Sequence, residues 1–212
     1  VRSCVARDAL PLLSLLQAEP LQLQSSHLSF QEYFAANAIC EEGTVLSGSS
    51  PWQWPAWWSN TLAIGEEMGE SFAKGLVRAA RIDTGVTLNL SEKLGGDRPT
   101  VMRVIKVMCG RLTSLDLSNN QLDAEAAKVL AEAVTVTASV TRVDVRYNDI
   151  AGDGASQLSA AVLGNEKIEV FNAVPIKEMR TDSFTELNLK GKDIGPVGGM
   201  VVAGLIPVMA SV

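Results

Sequence analysis

Two stretches decide how this chain folds: Leu112-Thr-Ser-Leu115-Asp-Leu117-Ser-Asn-Asn120-Gln-Leu122 and Val140-Thr-Arg-Val143-Asp-Val145-Arg-Tyr-Asn148-Asp-Ile150. Every apolar position of one falls on an apolar position of the other, and the asparagines coincide, at one constant offset, the step from Leu112 to Val140. Both obey the spacing L-x-x-L-x-L-x-x-N-x-L. Another step of the same length lands on Ile168 and Phe171, the start of a weaker third copy. A clearer fourth is Phe184-Thr-Glu-Leu187-Asn-Leu189-Lys-Gly-Lys192-Asp-Ile194, and Thr87-Leu88-Asn89-Leu90-Ser91 reads as a degenerate first strand. Ile176 and Lys192 stand where copies three and four should carry the asparagine, and Ile168 and Phe184 lie much closer than one full repeat. Asn172 to Ser183 is therefore expected to cross over as a loop or single turn around Pro175.

The spacing has a physical cause. Leu115 and Leu117 lie two apart and point to one face of a short strand, while Asp116 points to the other. Beyond Asn120 the chain turns, and Ala126, Val129, Leu130, Ala133 and Val134 recur at helical period. Ala155, Leu158 and Val162 do the same after Gly152-Asp153-Gly154. One strand and one helix cannot bury an apolar face alone, but stacked copies share a core. Asn120 and Asn148 fall at the strand-to-turn bend, where a buried amide needs backbone partners at both ends.

With these residues in view, Leu112 to Ile150 resembles the long, helix-containing leucine-rich repeats of the ribonuclease-inhibitor type. The resemblance extends more loosely over 85–212 and implies an α/β solenoid, with parallel strands on the concave side and helices outside. Phe184 to Val212 then reads as strand, turn and repeat helix. The uncharged run from Gly195 to Val212 approaches the length needed to span a bilayer. Its glycines, Pro196, Pro207 and the repeat context favour a buried helix, so no membrane partner is expected.

Upstream, Ser29 and Glu32 stand in the relation of a capping box, and Leu28 and Tyr33 in that of a hydrophobic staple. Ala35, Ala36 and Ala38 favour the helix that follows, and Gly43 offers a stop. His27, the only histidine, precedes that helix with no neighbouring cysteine or second histidine. It reads as a packed or solvated side chain rather than a ligand or base. The phrase HLSFQEYFAA resembles a segment near the end of the helical region that follows the nucleotide-binding module of NACHT-type, leucine-rich-repeat receptors. That resemblance implies an NTPase upstream in a longer parent protein; separately, the location expected for the chain is cytoplasmic. The chain itself holds no G-x-x-x-x-G-K-[ST], so no ATP or other cofactor is expected here. It also lacks an initiator methionine and closes on an apolar run, and we expect a fragment.

Pro51-Trp52-Gln53-Trp54-Pro55-Ala56-Trp57-Trp58 gathers all four tryptophans. They fit a hydrophobic plug over the end of the repeat stack, which terminal repeats require. An aromatic platform for sugar rings or a partner helix, or a membrane-interface belt, are the alternatives. Asn60 to Arg81 reads as one helix joining this cap, with Glu66, Glu67 and Glu70 on its solvated side rather than around a metal. The organisation is thus a helical segment over 1–46, a Trp-rich linker and capping helix over 47–84, and repeats over 85–212.

The 212 residues are 47% apolar and 20% charged, enough to bury a core. A net charge of −6 argues against a nucleic-acid partner. Cys4, Cys40 and Cys109, odd in number and far apart, read as reduced intracellular thiols. Alternation assigns Thr87, Asn89, Ser91, Ser114, Asp116, Ser118, Arg142, Asp144, Arg146, Glu186, Asn188 and Lys190 to the concave face. They include no acid–base pair beside a nucleophile and no metal-ligand spacing. The expectation is a non-catalytic scaffold that binds a protein. The alternatives are the regulatory tail of a nucleotide hydrolase and carbohydrate binding through the tryptophans.

Overall fold

The computed structural model describes residues 13–17, 22–25, 28–82, 87–183 and 186–209. A hairpin comes first: β1 (Leu13–Gln17) runs antiparallel to β2 (Gln22–Ser25), whose Gln22-Leu23-Gln24 alternates at the strand period. The region expected to be helical thus contains two strands among its described residues. Helix α1 (Leu28–Cys40) follows. Its first turn starts one residue before the expected cap. The Ser29 and Leu28 side chains, like His27, lie outside the described residues. Tyr33 is exposed and edge-on to Phe34, and Glu32 accepts a hydrogen bond from Asn60 at 2.9 Å.

Two 3-10 turns, Pro51–Gln53 and Ala56–Trp58, hold the tryptophans. The single helix expected over Asn60 to Arg81 is two, α2 (Ser59–Glu67) and α3 (Glu70–Ala79). Gly69, at φ +65°, takes a left-handed conformation between them that a helix interior cannot contain. Gly75 lets α3 lie against α1, since a Cβ there would collide with the Ile39 carbonyl.

Then come the repeats: β3 (Thr87–Asn89), α4 (Arg98–Cys109), β4 (Ser114–Asp116), α5 (Ala124–Val136), β5 (Arg142–Asp144) and α6 (Gly152–Gly164). They are followed by β6 (Val170–Phe171), β7 (Val174–Pro175), α7 (Ile176–Thr181), α8 (Gly195–Leu205) and a 3-10 turn, Ile206–Val208. Strands β3 to β6 are parallel, and Leu88, Leu115, Val143 and Phe171 pair in one row. All four are buried beneath the helices, and α4 packs on α5, α5 on α6, and α6 on α8. Asp97 and Asp123 cap α4 and α5, accepting from Thr100 N–H and Ala126 N–H.

The asparagines tie the rungs together. Asn120 Nδ2 donates to the Leu90 carbonyl of the preceding rung at 2.8 Å and to Leu117 and Ser118, while its Oδ1 accepts from Leu94 N–H at 3.0 Å. Asn148 repeats this, accepting from Asn120 N–H and Leu122 N–H and donating to Leu117, Val145 and Arg146. A second ladder runs under the helix C-termini, where unpaired carbonyls gather. Thr137 Oγ1 donates to Cys109 O, and Asn165 Nδ2 donates to Val134 O and Thr137 O. Arg180 ends it, donating to the carbonyls of Val162, Leu163, Asn165 and Ile168.

The third and fourth copies do not form separate rungs. β6 supplies the strand beside β5, yet the helix stacked on α6 is α8. Between them, Asn172 and Ala173 sit at φ +48° and +63°, the pair of left-handed residues that closes a tight hairpin. β7 therefore returns antiparallel along β6, on the edge that a strand from the fourth copy would have used. The crossover is a hairpin and a short helix rather than a loop, and Glu186–Leu189 form no strand. Asn172, not residue 176, continues the amide ladder, accepting from Val145 N–H and donating to the Ile194 carbonyl.

Asn120→Ala would leave Leu94 N–H without its partner and take from Leu90 C=O one of its donors, the other being Lys93 N–H. A loss of about 1–3 kcal/mol is expected in urea unfolding. Its exposed neighbour Asn119, at φ +55°, should tolerate Asn119→Gly with no loss.

Candidate interaction surface

The sheet face turned away from the helices carries three rows. Across the strand starts run Thr87, Ser114, Arg142 and Val170, in register. Asn89, Asp116 and Asp144 form the second row, and Ser91, Ser118 and Arg146 follow where each strand ends. The residues that alternation assigns to the first three strands all stand on this face. Glu186, Asn188 and Lys190 are exposed but not on the sheet, because β7 holds the edge they needed.

The second row is engaged with its own backbone. Asn89, Asp116 and Asp144 each accept the N–H of the residue two positions on, at 3.0–3.1 Å. This is the Asx turn by which a short polar side chain folds the chain out of a strand. Asn188 does the same with Lys190 N–H. Just beyond each, Glu92, Asn119, Tyr147 and Gly191 have positive φ, completing one shared bend geometry. The alternating acid or amide between the apolar residues is therefore first a turn signal.

Local bonds extend the row sideways. Asn89 Nδ2 donates to Asp116 at 3.2 Å, and Ser118 Oγ donates to Asp116 Oδ1 at 2.7 Å and lies within hydrogen-bond distance, 2.9 Å, of Ser91 Oγ. Arg146 forks onto Asp144 with Nη2 at 2.7 Å and reaches the Lys192 carbonyl with Nη1. The hydrogen bonds to Asp144 raise the pKa of the Arg146 guanidinium. Tyr147 OH donates to Asp193 at 2.9 Å, so Arg146 and Tyr147 together hold the last turn against the second repeat. In the first row, by contrast, Thr87 and Arg142 are exposed and Ser114 half-buried, with no side-chain bonds among the described residues.

Chemistry elsewhere is damped. A groove of about 500 Å³ runs between α3 and α4, lined by Glu66, Glu70, Lys106 and Arg111. Glu66, Glu67 and Glu70 are exposed, as expected of a solvated side, and Glu66 pairs with Arg103 and Glu70 with Arg111, bridging the helical segment to the first repeat. Lys74 and Arg111 hold the Glu70 carboxyl at about 2, well below the range of a general base. Burial pushes the Cys109 thiol up to about 12. No three-residue cluster of metal-binding type occurs among the described residues, and no described helix is long and apolar enough to cross a membrane.

Compared with known protein families, residues 112–131 and 138–159 match the family described as Leucine Rich repeat. The two segments hold β4 with most of α5, and β5 with most of α6. The chain therefore carries leucine-rich repeats, in a parallel-strand α/β arrangement. No curated protein matches it.

The geometry separates two neighbours that sequence reading grouped together. Arg146→Ala should lower stability by about 1 kcal/mol, its ion pair being partly screened, and loosen the 192–194 turn. Arg142→Ala should leave the unfolding midpoint unchanged. Thermal unfolding of the two variants side by side checks the contrast.

Proposed function

We propose that the chain is a non-catalytic protein-recognition module, a leucine-rich-repeat solenoid of the ribonuclease-inhibitor type whose concave sheet face binds a protein partner. The observation that carries this reading is the first row of the sheet: Thr87, Ser114, Arg142 and Val170 stand in register and are uncommitted to local bonds. Stacked repeats commonly recognise partners through such extended faces. A hydroxyl pair, a guanidinium and an aliphatic side chain offer the mixed polarity typical of non-obligate interfaces. Glu186, Asn188 and Lys190 extend the contact surface beyond the sheet.

The tryptophans act in this reading as the N-terminal cap. Trp54 is buried, stacks on Trp58 at 3.9 Å and donates Nε1–H to Ser49 O. The carbonyls of Trp52 and Trp54 accept from Gly95 N–H and Asp97 N–H in the turn after β3. Sugar binding draws little support from this arrangement: Trp58 is stacked by Trp57 as well as by Trp54, and only Trp57 is well exposed. The HLSFQEYFAA resemblance adds the second part of the proposal. The module would be the regulatory, cytoplasmic end of a NACHT-type NTPase, with α1 to α3 joining the nucleotide-binding region to the repeats. A fragment of a nucleotide hydrolase is the same architecture seen from its other end, and a P-loop in the upstream sequence would establish it.

Partner capture by the immobilised chain tests the recognition reading. Thr87→Arg with Arg142→Glu should reduce capture roughly tenfold or more without moving the unfolding midpoint. Lys128→Glu with Gln157→Arg on the helix side should leave it intact. Equal capture by the first variant, or loss with the second, overturns the assignment of this face.

A further inference from the structure

Subtracting the bonds already made leaves one free charge on the sheet. Among the described residues, Arg146 is held by Asp144, Lys177 by Glu169 at 2.6 Å, and Lys93 Nζ donates to the Asn89 carbonyl. The acids of the same region are equally committed. Asp116 accepts from Ser118 and Asn89, Asp144 from Arg146, and Glu169 from Lys177. Glu169 feels the charge of Arg142, yet the hydrogen bond from Lys177 is the larger cause of its lowered pKa. Arg142 itself, exposed in the middle of the first row, has no side-chain bond among the described residues.

The charges are also sorted along the strands. Toward the strand ends stand Asp116, Asp144 and Arg146, two acids against one guanidinium, with the charge of Asp116 acting on Arg146. At the strand starts the neighbours of Arg142 are uncharged: Ser114 and Thr87 on one side, Val170 on the other. Val170 is half-buried and pairs with the half-buried Pro175 of β7, so an apolar step lies beside the guanidinium. Adjacent strands lie about 4.8 Å apart. A single carboxylate can span that gap, held by the Arg142 fork on one strand and the half-buried Ser114 hydroxyl on the next.

We infer that the partner of this face is a protein segment that presents an aspartate or glutamate next to an aliphatic side chain. The carboxylate pairs with Arg142 and Ser114, and the aliphatic group covers Val170 and Pro175. This rests on the reading of the sheet as the recognition surface and adds the chemistry of what it recognises. One free guanidinium carries one positive charge, which a carboxylate matches. A phosphate brings nearly two negative charges, and proteins that select it gather arginines in a cluster. The first row holds no second cation. A net charge of −6 repels an acidic segment in general, so its docking depends on this contact. Asp116 and Asp144 then fix its direction, turning the acid toward the strand starts and away from the strand ends.

Nuclear magnetic resonance of the isotope-labelled chain tests this at single atoms. The probes are the capped peptide Gly-Gly-Glu-Leu-Gly-Gly and its two relatives with glutamine or phosphoserine in place of the glutamate. The glutamate peptide should shift the Arg142 Nε–H signal saturably and bind roughly tenfold or more tightly than the glutamine peptide. The signal of Arg81, an exposed guanidinium in the turn after α3, should stay in place. Arg142→Lys keeps the charge but loses the fork, and should weaken binding as read from the Ser114 and Val170 N–H signals. Absence of a shift at Arg142, equal binding of the glutamine peptide, or an equal shift at Arg81 overturns the inference. Tighter binding of the phosphoserine peptide overturns it in favour of a phosphorylated partner. If the glutamate peptide is silent while Thr87→Arg with Arg142→Glu still reduces partner capture, recognition by this face stands and the acidic partner falls. Capture unchanged by that double variant removes the recognition reading itself.

Discussion

A buried side-chain amide with both ends occupied is the interaction on which the stack depends. Leaving a strand for a turn strands backbone carbonyls and N–H groups where water cannot reach them. A carboxylate could accept but not donate there, and a hydroxyl is too short to serve two rungs. Asn120 does both, joining Leu90 and Leu94 behind it to Leu117 and Ser118 of its own bend. The strands pair over only a few residues at each junction, too short a run to define a stack alone. Apolar burial drives the rungs together, and the amide sets their register.

This division of labour explains what could be read from the sequence. The row Leu88, Leu115, Val143 and Phe171 was legible because the strand alternation and the repeat period coincide in it. The fate of the fourth copy was not, because two residues outside the repeat pattern decided it. Asn172 and Ala173 adopt left-handed conformations, and the chain reverses before the parallel strand can form. The helix break at Gly69 is of the same kind: a local backbone choice inside an otherwise periodic run. The Thr137–Asn165 ladder left a trace, since the two lie one repeat length apart, but threonine and asparagine differ too much to register as a repeat.

The expected interaction residues show a related limit. Alternation tells which face a side chain occupies, not whether that side chain is already engaged. Asp116 and Asp144 project from the sheet, yet their oxygens are occupied by the N–H groups that end each strand. Arg146 looks like a free cation in sequence and is a clamp between repeats in space. Only the spacing of the Asx residue from its acceptor-seeking N–H, two positions on, could have flagged this role beforehand.

What remains available to a partner is then determined by subtraction. Side chains that close turns cannot contribute fully to recognition without releasing the backbone they hold, and that release costs about as much as a new contact would gain. The uncommitted side chains of the sheet lie at the strand starts, where Arg142 stands exposed between Ser114 and Val170. A charge held at the centre of such a row, flanked by small polar and aliphatic neighbours, can discriminate partners by electrostatic match while the rigid sheet behind it limits the entropy lost on binding. The same amides that stack the rungs therefore also preorganise the surface they leave free.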